Sequence, residues 1–310
     1  MTAVYAYGSS GYRRLFGVAY RILGSVHDAQ DAVQEGIARW FALTEEQRER
    51  VREPDAWLTR VVARICLDEL GSARARREHY TGIWLPEPLI GELAASAGAP
   101  ERRDPADSVT LDERISIALL VAMEALTPGE RVSLVLHDVF GLSFDEIAEV
   151  VGRSAASCRQ LASTARRKVQ ARRKAQQVDP MDATDAAGTA RDDVVAAFLN
   201  ACVGGDLTSL VRLLDPGVVS RADGGDHVRA ARKEVVGAET VARYLLGVVS
   251  TQTRRVTELV PRIEPVNGRL GIVTREGDRV VGVFDLEIVG GLITEIAILV
   301  NPEKLRDRIA

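Results

Sequence analysis

"SFDEIAEVVGRSAASCRQLASTARRKVQARRK", residues 143–174, reads as two helices separated by one glycine. Ser143 and Glu146 make a Ser-x-x-Glu start, in which each side chain satisfies an orphan backbone N–H near the other. Ile147, Ala148 and Val150 then supply an apolar stripe, Gly152 permits a turn, and Ser154 can cap a second helix running past Lys168. Two short helices at this spacing place the second in the major groove of DNA. Its outer face offers Arg159, Gln160, Ser163, Arg166 and Arg167. Arg and Gln can each make paired hydrogen bonds to a base edge, whereas serines, Ser154 among them, and the later basic residues mainly hold phosphates. From Gly152 to Val178 there are eight basic residues and no Asp or Glu. A solvated basic helix is the ordinary account of a charge run, but two capped helices, a Gly turn and the absence of acid favour DNA.

The chain around this element has 310 residues, enough for two or three domains. With 46% hydrophobic and 27% charged residues it has a globular composition. Its net charge of −4 and pI of about 5.7 argue against nucleic acid only as averages, because the basic residues are concentrated. No apolar run approaches the ~20 residues that cross a bilayer, and the N-terminus lacks a basic segment followed by an apolar core. A cytoplasmic protein without membrane contact is expected. Cys66, Cys158 and Cys202 share no metal-ligand spacing with the four histidines, so neither a metal site nor a disulfide framework is expected, and no cofactor.

Residues 1–80 read as a helical domain. Leu15, Val18, Ala19 and Ile22 recur at helical spacing, Gly24-Ser25 interrupts, and Glu53-Pro54-Asp55 opens a helix with Trp57, Leu58, Val61, Val62, Ile65 and Leu70 on its apolar side. Residues 81–109 read as a linker, 110–178 as a second helical domain, and 179–189 as another connector. Thr127-Pro128-Gly129-Glu130 is a further capped helix start. After Ala190 two helical stretches, near 190–203 and 206–214, precede strands near 256–265, 269–275, 279–289 and 292–300. Asn267-Gly268, Glu276-Gly277-Asp278 and Gly290-Gly291 stand where hairpin turns are wanted. The expectation for 190–310 is an α+β domain with a curved antiparallel sheet.

"HDAQDAVQEGIARW" (27–40) puts Asp28, Asp31, Gln34 and Glu35 on one side of a helix. Acid/base chemistry, a solvated acidic face and a docking surface for a basic partner helix all fit that spacing; no neighbouring His or nucleophile defines a catalytic site. The stretch is similar to the "D-A-E-D-x-x-Q-E" signature of bacterial extracytoplasmic-function sigma factors, with Gln30 where the family's first Glu usually stands. "EPDAWLTRVVARICLDELGSARAR" resembles the family's segment that opens and reads the −10 promoter element, and the helix-turn-helix resembles the domain that reads the −35 element. The three matches occur in family order over roughly residues 10–175. The resemblance implies that Asp28, Asp31, Gln34 and Glu35 contact the β′ clamp of core RNA polymerase. It implies that Arg60 and Arg64 contact the −10 region, with an Arg64–Asp68 salt bridge as the structural alternative. Arg159, Gln160, Ser163 and Arg166 become −35 readers.

The last third resembles the SnoaL-like, cystatin-type fold, in which a curved sheet wraps helices around a conical pocket. A subgroup of these sigma factors carries such a domain fused, with three marks that stand here as "WLPEPL" (84–89), "DGGDH" (223–227) and "NPEKL" (301–305). Asp226 and His227 replace the usual Gly and Lys. The resemblance implies a regulatory interdomain contact through Trp84, Leu85, Pro86, Asp223, Gly224, Gly225, Asn301, Pro302, Lys304 and Leu305. Three roles stay open for this domain: catalysis by Asp223, Asp226 and His227, sensing of a small-molecule ligand in the pocket, and intramolecular regulation, which leads. The linker itself carries Ile83, Trp84, Leu85, Leu89 and Ile90 between prolines. Trp84 can tuck against its own domain, but a proline-stiffened apolar segment loses little entropy on docking, which favours a latch onto the third domain. The expected function is an alternative sigma factor without covalent chemistry. A ligand-responsive helix-turn-helix regulator and a pocket enzyme with a DNA-binding part are the alternatives.

Overall fold

The computed structural model describes residues 8–78, 80–90, 116–175, 187–255 and 259–305. The described residues fall into two compact units. The first holds the residues up to Glu78 together with Leu119–Gln170; the second holds residues 80–90, Ser116–Ala118 and the chain from Ala171 onward. The expected second helical domain is therefore grouped with the first, and the expected linker is partly grouped with the α+β domain. The expected helix start at Thr110 lies outside the described residues.

The first unit begins with α1 (Ser10–Leu23), capped by Ser9 and ended by Gly24 in the left-handed conformation, φ 71°. Ser25 then caps α2 (Val26–Ala42), and Thr44 opens the short α3 (Glu45–Glu49) with a capping box. The long α4 (Pro54–Glu78) crosses α1 and α2. Leu15, Ile22, Val33, Trp40, Leu58, Val62 and Cys66 are all buried between them. Trp57, expected to pack, lies against Trp40 with ring centroids 5.2 Å apart. Gly36 allows this approach, since a Cβ there would lie 2.6 Å from a methyl of Val62.

Next come α5 (Ile117–Met123), α6 (Pro128–Asp138), α7 (Phe144–Val151) and α8 (Ala155–Ala175). Both expected capping boxes are present, at Thr127/Glu130 and Ser143/Glu146. Gly152 ends α7 at φ 71°, and the Ser154 hydroxyl accepts from the Ser157 N–H at 3.2 Å to start α8. α8 buries Cys158, Ala162, Ala165 and Val169, one stripe at helical spacing, and exposes Arg159, Gln160, Ser163 and Arg167. Two ion pairs fasten α8 to α6: Lys168 to Glu130 at 2.8 Å and Arg166 to Asp138 at 2.5 Å. Arg131 joins α6 to α1 by donating to the Arg21 carbonyl at 3.3 Å.

In the second unit, α9 (Ala187–Gly204), α10 (Leu207–Leu213) and α11 (Ala238–Arg255) pack on one face of a six-stranded sheet in the order β2-β1-β6-β5-β4-β3. The strands are β1 (Leu214–Asp223), β2 (Val235–Val236), β3 (Leu259–Val266), β4 (Arg269–Glu276), β5 (Arg279–Val289) and β6 (Leu292–Leu299). β3 to β6 form the expected antiparallel meander, turning at Asn267-Gly268 and at the other two glycine turns, with register shifts in β4–β5 and β5–β6. β1 adds a parallel pairing with β6. Neither β1 nor α11 carries a clear sequence signal. β1 contains Asp-Pro-Gly and buried charges, which break alternation, and α11 is rich in β-branched residues with Gly247 inside.

Val195, Phe198, Leu210, Val218, Val241, Leu245, Ile272, Leu286 and Ile296 form the core between helices and sheet. Neighbours in the strands that alternate with these, such as Val273, Val283, Ala297 and Leu299, are buried as well. Side chains alternate across a strand, so the second face of the sheet is also covered. That is why the second half of β6 reads as an unbroken apolar run, "IAIL".

The two ion pairs between α6 and α8 set part of the acid behaviour of the helical unit. Burial alone would raise the pKa values of Glu130 and Asp138. Hydrogen bonds from Lys168 to Glu130, and from Arg166 and His137 to Asp138, outweigh it and hold both below their ordinary values of 4.5 and 3.8. A carboxyl lowered by folding contributes fully above its unfolded pKa and loses that contribution as pH falls through the folded value. The helical unit is therefore expected to lose stability on acidification from about pH 4.5 downward, read by far-ultraviolet circular dichroism in urea. Asp138→Asn should flatten that dependence while lowering stability at neutral pH.

Candidate nucleic-acid interface and linker-binding site

On α2 the side chains of Asp31, Gln34 and Glu35 are exposed and that of Asp28 is half-buried. Two of the carboxylates have partners one turn away, Asp31 with His27 at 3.1 Å and Glu35 with Arg39 at 2.9 Å. Pairs this exposed are weak, so the acidic face stays available at little energetic cost.

On α8 the geometry divides the expected DNA-reading residues. Arg159, Gln160, Ser163 and Arg167 are exposed, with Arg167 bonded to the Thr164 hydroxyl at 3.2 Å. The Arg159 guanidinium lies over the Phe144 ring, 5.1 Å from its centroid. Arg166 is turned the other way. Its Nε and Nη2 clasp the Asp138 carboxylate at 2.7 and 2.5 Å, and Nη2 lies 3.1 Å from His137 Nδ1. Helical spacing placed Arg166 on the outer face, but at its edge the long side chain can fold back to a buried carboxylate, and it does.

Arg60 and Arg64 of α4, the expected −10 contacts, are also engaged. Arg60 lies 3.6 Å from Glu146 and 3.4 Å from Glu149 of α7, and Arg64 donates to the Val150 carbonyl at 2.7 Å. Arg64 also approaches Asp68 at 3.6 Å. The end of a helix concentrates negative partial charge, so the last turn of α7 suits a guanidinium.

The second unit holds the linker on a buried carboxylate. Asp223, the last residue of β1, is fully buried. Its Oδ1 accepts from the Tyr80 hydroxyl at 2.5 Å and the Gly225 N–H at 3.1 Å. Its Oδ2 accepts from the Leu85 N–H at 2.9 Å and the Lys304 ammonium at 2.7 Å. Four donors fill a carboxylate's four lone-pair positions. Lys304 lies in α12 (Pro302–Leu305) and also donates to the Leu85 carbonyl at 2.5 Å. Its ammonium stands 4.2 Å from the Trp84 ring centroid and 5.0 Å from that of Tyr80. Asn301 donates to the Tyr80 hydroxyl at 2.7 Å. Burial, and then the adjacent Asp223, push the Tyr80 phenol pKa up.

Backbone geometry explains the glycines of the DGGDH loop. Gly225 has φ 57°, and a Cβ there would stand 2.7 Å from the Asn301 amide; a Cβ on Gly224 would meet the Val228 carbonyl at 2.1 Å. Leu85, Pro86 and Leu89 are buried in the linker, as is Leu305 in α12. Leu89 is clipped in both directions to Asn267, its N–H donating to Oδ1 at 2.6 Å and its carbonyl accepting from the Asn267 N–H at 2.8 Å. The Ile117 N–H donates to Asp285, whose pKa burial pushes up against the pull of Arg191. Asp226 and His227 are exposed, with His227 3.1 Å from Glu303, so they do not join Asp223 as an acid/base group.

Tyr80, Asn267, Asp285 and Phe144 were not singled out by sequence reasoning. Tyr80 is an aromatic four residues before Trp84, at the head of an apolar linker, a usable signal. The roles of Asn267 and Asp285 depend on Leu89 and Ile117, partners far away in sequence, and carry no local mark.

A helical unit with a helix-turn-helix, joined to an α+β unit that binds the linker, defines a fused promoter-reading transcription factor. Residues 9–76 match the family Sigma-70 region 2, and residues 116–169 match Sigma-70, region 4. The chain is 37% identical over 295 residues to the probable ECF RNA polymerase sigma factor SigI of Mycobacterium tuberculosis, 94% of this chain and 91% of the relative. It is 39% identical over 262 residues, 84% and 78% of the two chains, to the ECF RNA polymerase sigma factor SigJ of the same organism. The crystal structure of SigJ matches with TM-score 0.70 at 32% identity, covering 95% of each chain. The chain belongs to the extracytoplasmic-function sigma factors, alternative sigma factors of RNA polymerase that direct transcription initiation. Core polymerase and promoter DNA are its partners, and its C-terminal domain is SnoaL-like. Among the described residues no helix is long and apolar enough to cross a membrane.

Lys304→Met is expected to destabilise the second unit by about 3 kcal/mol, because it strands a buried carboxylate. Hydrogen exchange on the full chain should show the Leu85 amide exchanging roughly a hundredfold faster. Leu89, held by Asn267, should respond less. Asp223→Asn combined with Lys304→Met should recover part of the loss.

Proposed function

We propose that the SnoaL-like domain regulates this sigma factor from within the chain, by holding the connection between its two DNA-reading regions. The observation that carries the reading is the capture of the linker by Asp223 and Lys304. Residues 80–90 and Ser116–Ala118, from either end of the region 2 to region 4 connection, both group with the second unit. A connector tied in this way restricts the separations available to the two regions. In the free chain Arg60 and Arg64, the −10 candidates, are occupied by α7.

The magnitudes suit a closure that polymerase can open. Partly exposed ion pairs contribute about 0–1 kcal/mol each, and a charged hydrogen bond to a carbonyl about 1.5–3 kcal/mol. A partner binding at nanomolar affinity supplies about 12 kcal/mol, enough to exchange these contacts for DNA. In this reading Asp28, Asp31, Gln34 and Glu35 dock on the polymerase clamp, and Ser154, Arg159, Gln160, Ser163 and Arg167 face the −35 element.

Run-off transcription with core polymerase tests both parts. Asp31→Arg with Glu35→Arg should lower core binding more than tenfold while leaving the helical content intact. Trp84→Ala with Leu85→Ala should shift transcription in the same direction and degree as removal of residues 301–310. Wild-type transcription from that double variant, beside an altered output from the truncation, would sink linker capture as the regulatory contact.

A further inference from the structure

The expected −35 readers differ in how they are held, and the difference singles out Arg159. Arginine carries a long, rotamer-rich stem, so an exposed arginine must be ordered before it can read a base. Gln160 and Ser163 are shorter. Arg159 is the one whose guanidinium is seated on an aromatic ring, that of Phe144 at the first position of α7. Stacking uses the face of the guanidinium. A guanidinium that packs through its face keeps its five in-plane N–H donors free, in the paired geometry that matches the O6 and N7 of guanine.

Phe144 is itself fixed from behind. Its ring stacks on His137, with centroids 4.3 Å apart and planes 17° from parallel. His137 Nδ1 lies 2.8 Å from Asp138 Oδ1, and that carboxylate is gripped by Arg166. The Asp138 side chain is only 6% exposed. The order therefore runs from an ion pair on a buried carboxylate, through an imidazole and a phenyl ring, to an exposed guanidinium.

We propose that Phe144, held by His137 and the Asp138–Arg166 pair, is a positioning residue that sets Arg159 for base recognition in the −35 element. Arg166 then serves the reading helix from behind rather than touching a base. The proposal rests on the assignment of α8 as the −35 reader. Phe144 lies in the first turn of α7, outside the reading helix, and the first turn of a helix is ordinarily assigned only to capping.

The experiment uses the full chain bound to core polymerase and a promoter library randomised across the −35 element. Initiation is scored for each sequence. Arg159→Ala should abolish a tenfold or greater preference at one base pair. Phe144→Leu keeps apolar volume but removes the π face, and should reduce the preference at that same base pair about threefold to fivefold. Phe144→Trp should restore it, and Phe144→Leu added to Arg159→Ala should cost nothing more there. A packing role alone would lower initiation on all sequences by one factor and leave the preference unchanged, which overturns the proposal. If Arg159→Ala loses the preference and Phe144→Leu keeps it, positioning fails while −35 reading by α8 stands. If Arg159→Ala keeps it, Arg159 is not the reader and both fail.

Discussion

The Asp223 carboxylate, buried at the end of β1, is the point on which the second unit depends. It receives hydrogen bonds from Tyr80, Leu85, Gly225 and Lys304, residues from the linker, the adjacent loop and the C-terminal helix. A buried carboxylate must be paired and hydrogen-bonded, and here the required partners are drawn from segments that have no other reason to meet. Lys304 repeats the logic with opposite sign, since its ammonium needs both Asp223 and the Leu85 carbonyl. An apolar contact between linker and sheet could slide by a residue. Charges with fixed partners cannot, so this pair sets which residue of the linker meets which residue of the sheet domain.

This explains a connector that looks wrong for its place. Leu85, Pro86 and Leu89 are buried in the docked linker, and the prolines limit the entropy lost on docking. Trp84 contributes through its ring face, with the Lys304 ammonium over it. Between α4 and α7 charge is used in a softer way. The pairs from Arg60 and Arg64 to α7 involve partly exposed groups, so they bias the free chain without locking it.

The helical unit was legible because its information is local. Ser25, Thr127, Ser143 and Ser154 sit directly before the helices they cap, Gly24 and Gly152 mark the turns, and the apolar residues between them recur at helical spacing. The β3–β6 meander was legible for the same reason, through its three glycine turns. β1 and α11 were not. β1 is stabilised by a parallel pairing with β6, 76 residues away by the register Ser220↔Ile296, and its buried Arg221 and Asp223 erase the alternation that marks a strand. Among site residues, Arg166 shows the limit of face assignment. Periodicity gives the direction of a Cβ, whereas a guanidinium several bonds further out follows the nearest buried carboxylate.

By itself, the sequence determined the helices and their caps, the basic reading helix and the acidic face of α2, because caps, periodicity and charge density are properties of neighbouring residues. It also marked the linker as anomalous, while the DGGDH and NPEKL segments were named as its counterparts by the resemblance to fused sigma factors. Only the tertiary structure decided which atoms meet there. Tyr80 and Asn301 complete the Asp223 site, Asn267 clips Leu89, and Asp138 draws Arg166 away from the outer face. These contacts join residues from 28 to 221 positions apart, and each exists because a buried polar group must find a partner wherever the fold brings one. No local pattern specifies that choice.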